Sequence, residues 1–110
     1  MSNASNNNKL KEYQEFTRTT AIYPKEKALE YLGLGLCSES GETAGKIKKQ
    51  IRDGVDLKQQ ILDELGDCLW YAARICDELD TDLEQVLDSN TAKLKDRKSR
   101  DVLKGSGDNR

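Results

Sequence analysis

The 110-residue sequence contains no histidine, a single proline and a single tryptophan. The absence of imidazole excludes a histidine base and most zinc or copper sites. The three cysteines, Cys37, Cys68 and Cys76, form no C-x-x-C pair. Their odd number argues against a disulfide framework. We therefore expect reduced, buried thiols and a cytoplasmic location.

Strong net charge and long apolar runs are also missing from the sequence. The net charge is −2, so no basic field directs the chain to nucleic acid or to an anionic membrane. The apolar stretches are too short to span a bilayer, and no signal-peptide pattern opens the chain. We therefore expect neither nucleic acid nor a membrane as a partner.

The size and composition predict one small domain that depends on a partner subunit. Hydrophobic and charged residues each make up 35% of the chain, a balance that is typical of amphipathic helices. A chain of this length is near the lower limit for a self-sufficient core. We expect a homodimer or homotetramer. The predicted organisation is a disordered tail over 1–8 and a single helical domain over 9–110, whose residues 98–110 form a polar tail.

Apolar periodicity predicts four helices and no strand. The predicted spans are 9–22, 26–52, 57–79, and a fourth that starts at a capping box over 81–84 and ends near residue 97. Pro24 ends the first helix, and Gly54 caps the second. The third helix carries an apolar seam: Ile61, Leu65, Cys68, Ala72, Ile75 and Leu79. The predicted class is all-α, a four-helix-bundle type whose core is completed by oligomerisation.

Two acidic pairs lie on the inward faces of the second and third predicted helices. The first pair is Glu39 and Glu42 in ESGE, and the second is Glu64 and Asp67 in ELGD. On a helical wheel, Glu39 and Glu42 share the apolar face that carries Leu32. Carboxylates near a core are costly and repel one another unless cations lie among them. The four acids therefore predict a metal site.

The chemistry of this site favours Mg²⁺, with Mn²⁺ as an alternative, because every ligand is a hard oxygen. A carboxylate cluster that is open on one side suits phosphate chemistry, since Mg²⁺ takes up substrate phosphates. Glycines inside the predicted helices each cost about 0.5–1 kcal/mol relative to alanine. Close helix approach or room for a ligand would offset that cost. These glycines are Gly33, Gly35, Gly41, Gly45 and Gly66.

The sequence resembles a known family over residues 10 to 110. The motif ESGE followed by DELGD resembles the E-x-x-E…E-x-x-D signature of the MazG-like all-α nucleoside triphosphate pyrophosphohydrolases. The segments EYQEFTRT, LGLGLCSESGETAGKIKK and ILDELGDCLWYAARI resemble the first three helices of that family. The terminal GSGDNR resembles the tail of one branch, although Asp101 stands where that branch usually has glycine.

The resemblance implies hydrolysis of a nucleoside triphosphate to the monophosphate and pyrophosphate, for nucleotide-pool sanitation or control of dNTP levels. It implies that Mg²⁺ is held by the four acids. Bound Mg²⁺ would neutralise the triphosphate, lower the pKa of a bound water and stabilise the leaving pyrophosphate. Glu39 or Glu42 is the expected acceptor of the proton of that water.

The phosphate contacts are expected on two helices. Asn90, Lys93 and Arg97 follow i, i+3, i+7 spacing and form one stripe of donors. Such a stripe alone is typical of a solvated face, but the resemblance favours contact with phosphates. Lys46 points along the arc of Glu39 and Glu42. It is equally well interpreted as a phosphate contact or as an ordinary surface lysine.

The resemblance also places Gln14, Tyr23 and Tyr71 against the base. Trp70 fits a core or subunit interface as well as it fits a substrate pocket.

Two other functions fit the sequence. One is a phosphoribosyl-ATP pyrophosphatase-like enzyme, which shares the fold and the acids. The other is a non-catalytic, metal-stabilised helical interaction module. A structural metal site is filled by protein ligands, whereas a catalytic site keeps open positions.

Overall fold

The computed structural model describes residues 2–110, with side chains described from Lys9 onward. It contains four helices: α1 (Ser2–Arg18), α2 (Ala28–Asp53), α3 (Lys58–Glu78) and α4 (Leu83–Ser99). A single 3₁₀ turn, Lys25–Lys27, precedes α2. No strand occurs in residues 2–110, so the all-α prediction is confirmed. Over the same range, every helix is either too short or too polar to cross a bilayer.

The bounds of α1 differ from the predicted span of 9–22. The helix ends at Arg18, because Thr19 and Thr20 donate their backbone N–H groups to the carbonyls of Phe16 and Thr17 in tight i→i−3 bonds. The side-chain hydroxyls of Thr19 and Thr20 donate to the same two carbonyls, at 2.7 and 3.1 Å. The backbone of residues 2–8 belongs to α1. The predicted tail over 1–8 lies outside the residues with described side chains and stays a prediction.

The bounds of α2 and α3 lie within two residues of the predicted ones. Gly54 ends α2 in the left-handed region, at φ 63°, and donates its N–H to the Gln50 carbonyl at 3.0 Å. The Gln50 side chain then accepts the N–H of Leu57 at 2.8 Å, which fixes the connection to α3. The N-cap predicted for the fourth helix was wrong by one residue. Asp82, not Thr81, has the extended backbone of the cap, and its carboxylate accepts the Gln85 N–H at 2.9 Å.

The apolar core is small. Its buried residues are Tyr23, Ala28, Leu32, Ala73 and Cys76. The predicted seam on α3 is partly buried, except that Leu65 and Leu79 are about half exposed. Leu34 and Ile51 on α2 are 73% and 79% exposed. One chain therefore leaves a considerable apolar area uncovered. The prediction of buried thiols holds only for Cys76, since Cys68 is partly buried and Cys37 is exposed.

A buried ionic network holds the C-terminal part of α3. The Arg74 guanidinium, 2% exposed, donates to the Tyr23 hydroxyl at 3.0 Å and to the Thr17 hydroxyl at 3.3 Å. It also pairs with Asp77 at 2.9 Å and Glu78 at 3.2 Å. Together with Gln14, these residues form what we call the polar clamp.

Gln14 connects α1 to the rest of the polar clamp. Its side-chain nitrogen donates to Asp77 Oδ1 at 3.2 Å and to the Thr81 carbonyl at 2.9 Å. Its side-chain oxygen accepts the Leu83 N–H at 3.1 Å. One amide thus joins α1, the end of α3 and the start of α4.

Candidate metal centre

Three of the four predicted metal ligands come together between α2 and α3. Carboxylate oxygens of Glu39, Glu64 and Asp67 all lie within 4.8 Å of one another. Glu39 and Glu64 are partly buried, whereas Asp67 is exposed. The helix α2 supplies the first acid and α3 the other two, as expected for inward positions on adjacent helices. The exposed Asp67 leaves the cluster accessible from solvent.

Glu42, the fourth predicted ligand, is exposed and lies outside this group of three. Its charge nevertheless reaches Glu39. The pKa of Glu39 is raised, first by burial, then by a hydrogen bond with Glu64 and by the negative charges of Asp67, Glu64 and Glu42. All four acids therefore share one electrostatic environment. The place of Glu42 among the metal ligands stays a prediction.

The donor set fits a divalent cation. Among residues 9–110, none of the four acids forms an ion pair with a lysine or arginine. Crowded carboxylates of like charge are stabilised when a cation lies among them. Oxygen ligands of this kind suit Mg²⁺, Mn²⁺ or Ca²⁺ rather than zinc or copper.

Tyr71 packs beside the cluster, directly over Gly35. A Cβ atom added at Gly35 would lie 2.8 Å from Tyr71 Cδ1 and would overlap Cε1 and Cζ of the same ring. The predicted close approach is thus confirmed at Gly35. For the other four glycines inside helices, nothing lies within 4 Å of an added Cβ in the described chain. A single chain therefore gives them no packing role.

Aromatic side chains surround Tyr71. The Trp70 ring meets it edge to face, with the centroids 5.0 Å apart, and the Trp70 indole N–H donates to the Thr20 hydroxyl at 2.7 Å. Trp70 also packs against the core. Burial raises the pKa of Tyr71, and Tyr31 and the charges of Glu39 and Asp67 raise it further. Tyr71 therefore lies close to the carboxylates, on the side predicted to receive the base.

Sequence reasoning missed two tyrosines near the site. Tyr31 interacts with Tyr71. The pKa of Tyr13 is raised mainly by burial and in addition by the negative charge of Asp67, which places Tyr13 near the acids. A signal for Tyr31 was present, since Tyr31, Gly35 and Glu39 are spaced by four residues and so share one face of α2. For Tyr13 the signal was weaker, because no spacing relates α1 to Asp67.

The predicted base contacts Gln14 and Tyr23 lie elsewhere, in the polar clamp. Gln14 is 5% exposed and Tyr23 is 9% exposed. The Tyr23 hydroxyl donates to Glu78 at 2.6 Å and its ring stacks on Tyr31 at a centroid distance of 5.3 Å. The polar atoms of both residues are thus bonded within the chain. Contact of Gln14 or Tyr23 with a base stays a prediction.

The predicted phosphate contacts on α4 have partners in the C-terminal residues. Lys93 and Arg97 both pair with Asp108 at 3.0 Å. Asn90 is exposed and, with Lys93, lines a groove of about 420 Å³. Within residues 2–110, α4 contacts α1 and α3 but not α2. Lys46 is partly buried on α2. The described chain therefore does not pack the α4 stripe against the helix that carries Glu39.

Comparison with known proteins places this arrangement in a family. Residues 27–101 match the MazG nucleotide pyrophosphohydrolase domain. The chain belongs to the MazG family. The match includes α2, α3 and α4, and with them all four acids, so the resemblance predicted from the sequence is confirmed. The MazG domain here is similar to the Gene 37 protein of Mycobacterium phage L5, with 42% identity over 109 residues, which cover 89% of this chain and 96% of that protein. No solved structure matches significantly.

Proposed function

We propose that this MazG protein is a Mg²⁺-dependent nucleoside triphosphate pyrophosphohydrolase that converts a (d)NTP to the (d)NMP and pyrophosphate. The observation that carries the proposal is the cluster of Glu39, Glu64 and Asp67, with Glu42 close enough to act on it electrostatically. The activity would serve nucleotide-pool sanitation or control of dNTP levels. Mn²⁺ is an alternative ion, because it accepts the same oxygen ligands.

The four acids would hold the cation, which supplies charge neutralisation for the triphosphate and a bound water of lowered pKa. An acid with a free oxygen accepts the proton of the attacking water. Glu39 and Glu42 are the candidates. Glu42 is exposed and stands outside the tight group of three, so it can bind the cation with one oxygen and keep the other free for this role.

The ring of Tyr71 would supply an apolar surface beside the acids on which a base can stack, and Trp70 supports that ring edge to face. Tyr31 extends this surface towards the start of α2, through its contact with Tyr71 and its stacking on Tyr23.

A homodimer or homotetramer completes this proposal. The uncovered apolar residues of α2 and α3 include Leu34, Ile51 and Leu69, each more than half exposed. In this proposal the α4 stripe of the second copy would face the acids of the first chain, because the stripe of one chain does not pack against its own α2. Sedimentation velocity tests this assembly. A monodisperse, active monomer at low micromolar concentration would contradict it.

A product assay tests the reaction. Each canonical dNTP and NTP, dUTP and phosphoribosyl-ATP are incubated with the protein and Mg²⁺, and pyrophosphate is separated from orthophosphate. We expect pyrophosphate and a monophosphate. Glu39→Gln and Asp67→Asn should lower the rate by about 100-fold or more. Glu30→Gln, at an exposed acid of α2 outside the cluster, is the matched control and should retain the wild-type rate.

The outcomes of this assay separate the alternatives. Turnover of phosphoribosyl-ATP alone would favour the phosphoribosyl-ATP pyrophosphatase-like enzyme. No turnover of any triphosphate, with metal bound and the two variants merely less stable, would favour a non-catalytic module. Release of orthophosphate instead of pyrophosphate would contradict the proposed bond cleavage.

A further inference from the structure

The C-terminal residues form an ordered loop, residues 102–110, that folds back on α4. The Arg110 guanidinium donates to the carbonyls of Val102, Leu103 and Gly107 at 3.1, 3.0 and 2.7 Å. The Arg110 carbonyl accepts from the Arg100 guanidinium at 2.7 Å. These bonds close the C-terminal loop on itself and tie it to the last turn of α4.

The C-terminal loop places the Asp108 carboxylate on the two cations of the α4 stripe. Asp108 Oδ1 lies 3.0 Å from Lys93 Nζ and 3.0 Å from a terminal nitrogen of Arg97. The Asp108 carbonyl accepts from the same Arg97 nitrogen at 2.7 Å. Arg97 is 5% exposed, whereas the Asp108 side chain is 78% exposed. A buried guanidinium thus meets a carboxylate that solvent can reach.

The Asp108 carboxylate lies between two cations, Lys93 and Arg97, as a bound anion would. Lysine and arginine donate to carboxylate and phosphate oxygens with the same charge-assisted bonds. The two cations hold the pKa of Asp108 below its usual range, so the carboxylate is charged at neutral pH. The groove lined by Asn90 also reaches Lys93. An oligophosphate in this groove would meet Lys93, one of the two cations that Asp108 occupies.

We propose that Asp108 is an internal competitor for oligophosphate, which displaces its carboxylate from Lys93 and Arg97. The proposal rests on the proposed function, in which these two cations contact the phosphates. The exchange is inexpensive, because the incoming anion restores the contacts of both cations and the buried Arg97 guanidinium is never left without a negative partner. The bonds of Arg110 keep the C-terminal loop attached to α4 while the Asp108 side chain moves away.

The test measures binding of inorganic tripolyphosphate to the full chain by calorimetry, in the presence of a chelator and without divalent metal. We expect Asp108→Asn to bind about threefold to tenfold more tightly than wild type, because it removes the carboxylate charge from Lys93 and Arg97. Asp108→Ser is a second variant that also removes the amide donor. Asp101→Asn is the matched control and should match wild type. It removes another exposed acid, and asparagine tolerates the positive φ of 56° at that position.

Two further measurements identify the mechanism. Lys93→Gln should weaken binding and reduce the gain from Asp108→Asn. Amide hydrogen exchange close to residue 108 should become faster when tripolyphosphate binds to the wild type, because the Asp108 side chain is released, whereas the part of the C-terminal loop held by Arg110 should exchange at an unchanged rate. Weaker binding by Asp108→Asn, or slower exchange on binding, would mean that Asp108 positions the cations and would overturn the proposal. Equal binding by Asp108→Asn and wild type would also overturn it.

The assay distinguishes this inference from the proposed function. Tripolyphosphate binding requires no turnover, so an effect of Asp108 can be measured even if no nucleotide is hydrolysed. Conversely, pyrophosphate release with no effect of Asp108→Asn would leave the proposed function intact and overturn the competition alone.

Discussion

Substitution of Gly35 by alanine tests the packing of Tyr71 against α2. A Cβ atom at this position would lie 2.8 Å from Tyr71 Cδ1 and closer still to two other ring atoms. The ring must therefore leave its place. It is edge to face with Trp70 and interacts with Tyr31, so its displacement disrupts contacts beside the carboxylates.

Two opposing contributions set the change in the free energy of unfolding caused by Gly35→Ala. Alanine within a helix is about 1 kcal/mol more favourable than glycine, whereas overpacking costs about 1–3 kcal/mol. Gly41→Ala isolates the first term, because nothing lies within 4 Å of a Cβ added at Gly41. We therefore expect Gly41→Ala to stabilise the protein by up to about 1 kcal/mol. We expect Gly35→Ala to be about 1–3 kcal/mol less stable than Gly41→Ala.

The assay is equilibrium unfolding in urea at one fixed protein concentration. The same two alanine substitutions are then made in a Tyr71→Ala background, where the overlap is removed. There, Gly35→Ala and Gly41→Ala should have equal effects on the free energy of unfolding. Equal effects of the two substitutions in the wild-type background would refute the argument that Tyr71 requires glycine at position 35.

Two other predictions concern the charged groups. Because its pKa is raised on folding, Glu39 binds its proton more tightly in the folded than in the unfolded chain. The metal-free protein should therefore lose stability as the pH rises above about 4.5, and Glu39→Gln should flatten this decline. Thermal unfolding in the presence of a chelator, from about pH 4 to about pH 8, measures this decline in both proteins. Equal slopes of stability against pH for the wild type and Glu39→Gln would contradict the prediction. Arg74→Met should cost about 3–5 kcal/mol, because it leaves Asp77 and Glu78 partly buried and without Arg74. Arg18→Met, at the exposed partner of Asp77, should cost much less, because solvent screens this pair. Urea unfolding compares the two variants, and similar losses would show that burial does not decide the cost.

The sequence predicted the α2–α3 pair and most of the candidate metal centre. Both depend on spacing within one helix. The wheel positions of the acids and the glycine at position 54 are local properties of the chain, so a sequence reveals them directly. The grouping of Glu39, Glu64 and Asp67 followed once α2 and α3 were expected to be adjacent.

The polar clamp could not be predicted in the same way. Gln14 bonds to Asp77 and Thr81, which lie 63 and 67 residues further along the chain. No periodicity relates positions so far apart, and the resemblance to a family assigned Gln14 to the base. The C-terminal loop was expected only as a polar tail. Its order comes from individual bonds of Arg110 and Asp108, which composition does not reveal.

The length of the connections sets an order in which the chain can assemble. Residues 54–57 alone separate α2 from α3, so contacts between these helices close a short loop at little cost in chain entropy. The partners of Gln14 lie more than sixty residues away. During synthesis, α1 is made before α3 and α4, so Gln14 has no partner in the polar clamp until Asp77 and Thr81 have been made. Docking of α1 therefore comes after pairing of α2 with α3, and until then α1 relies on its own hydrogen bonds.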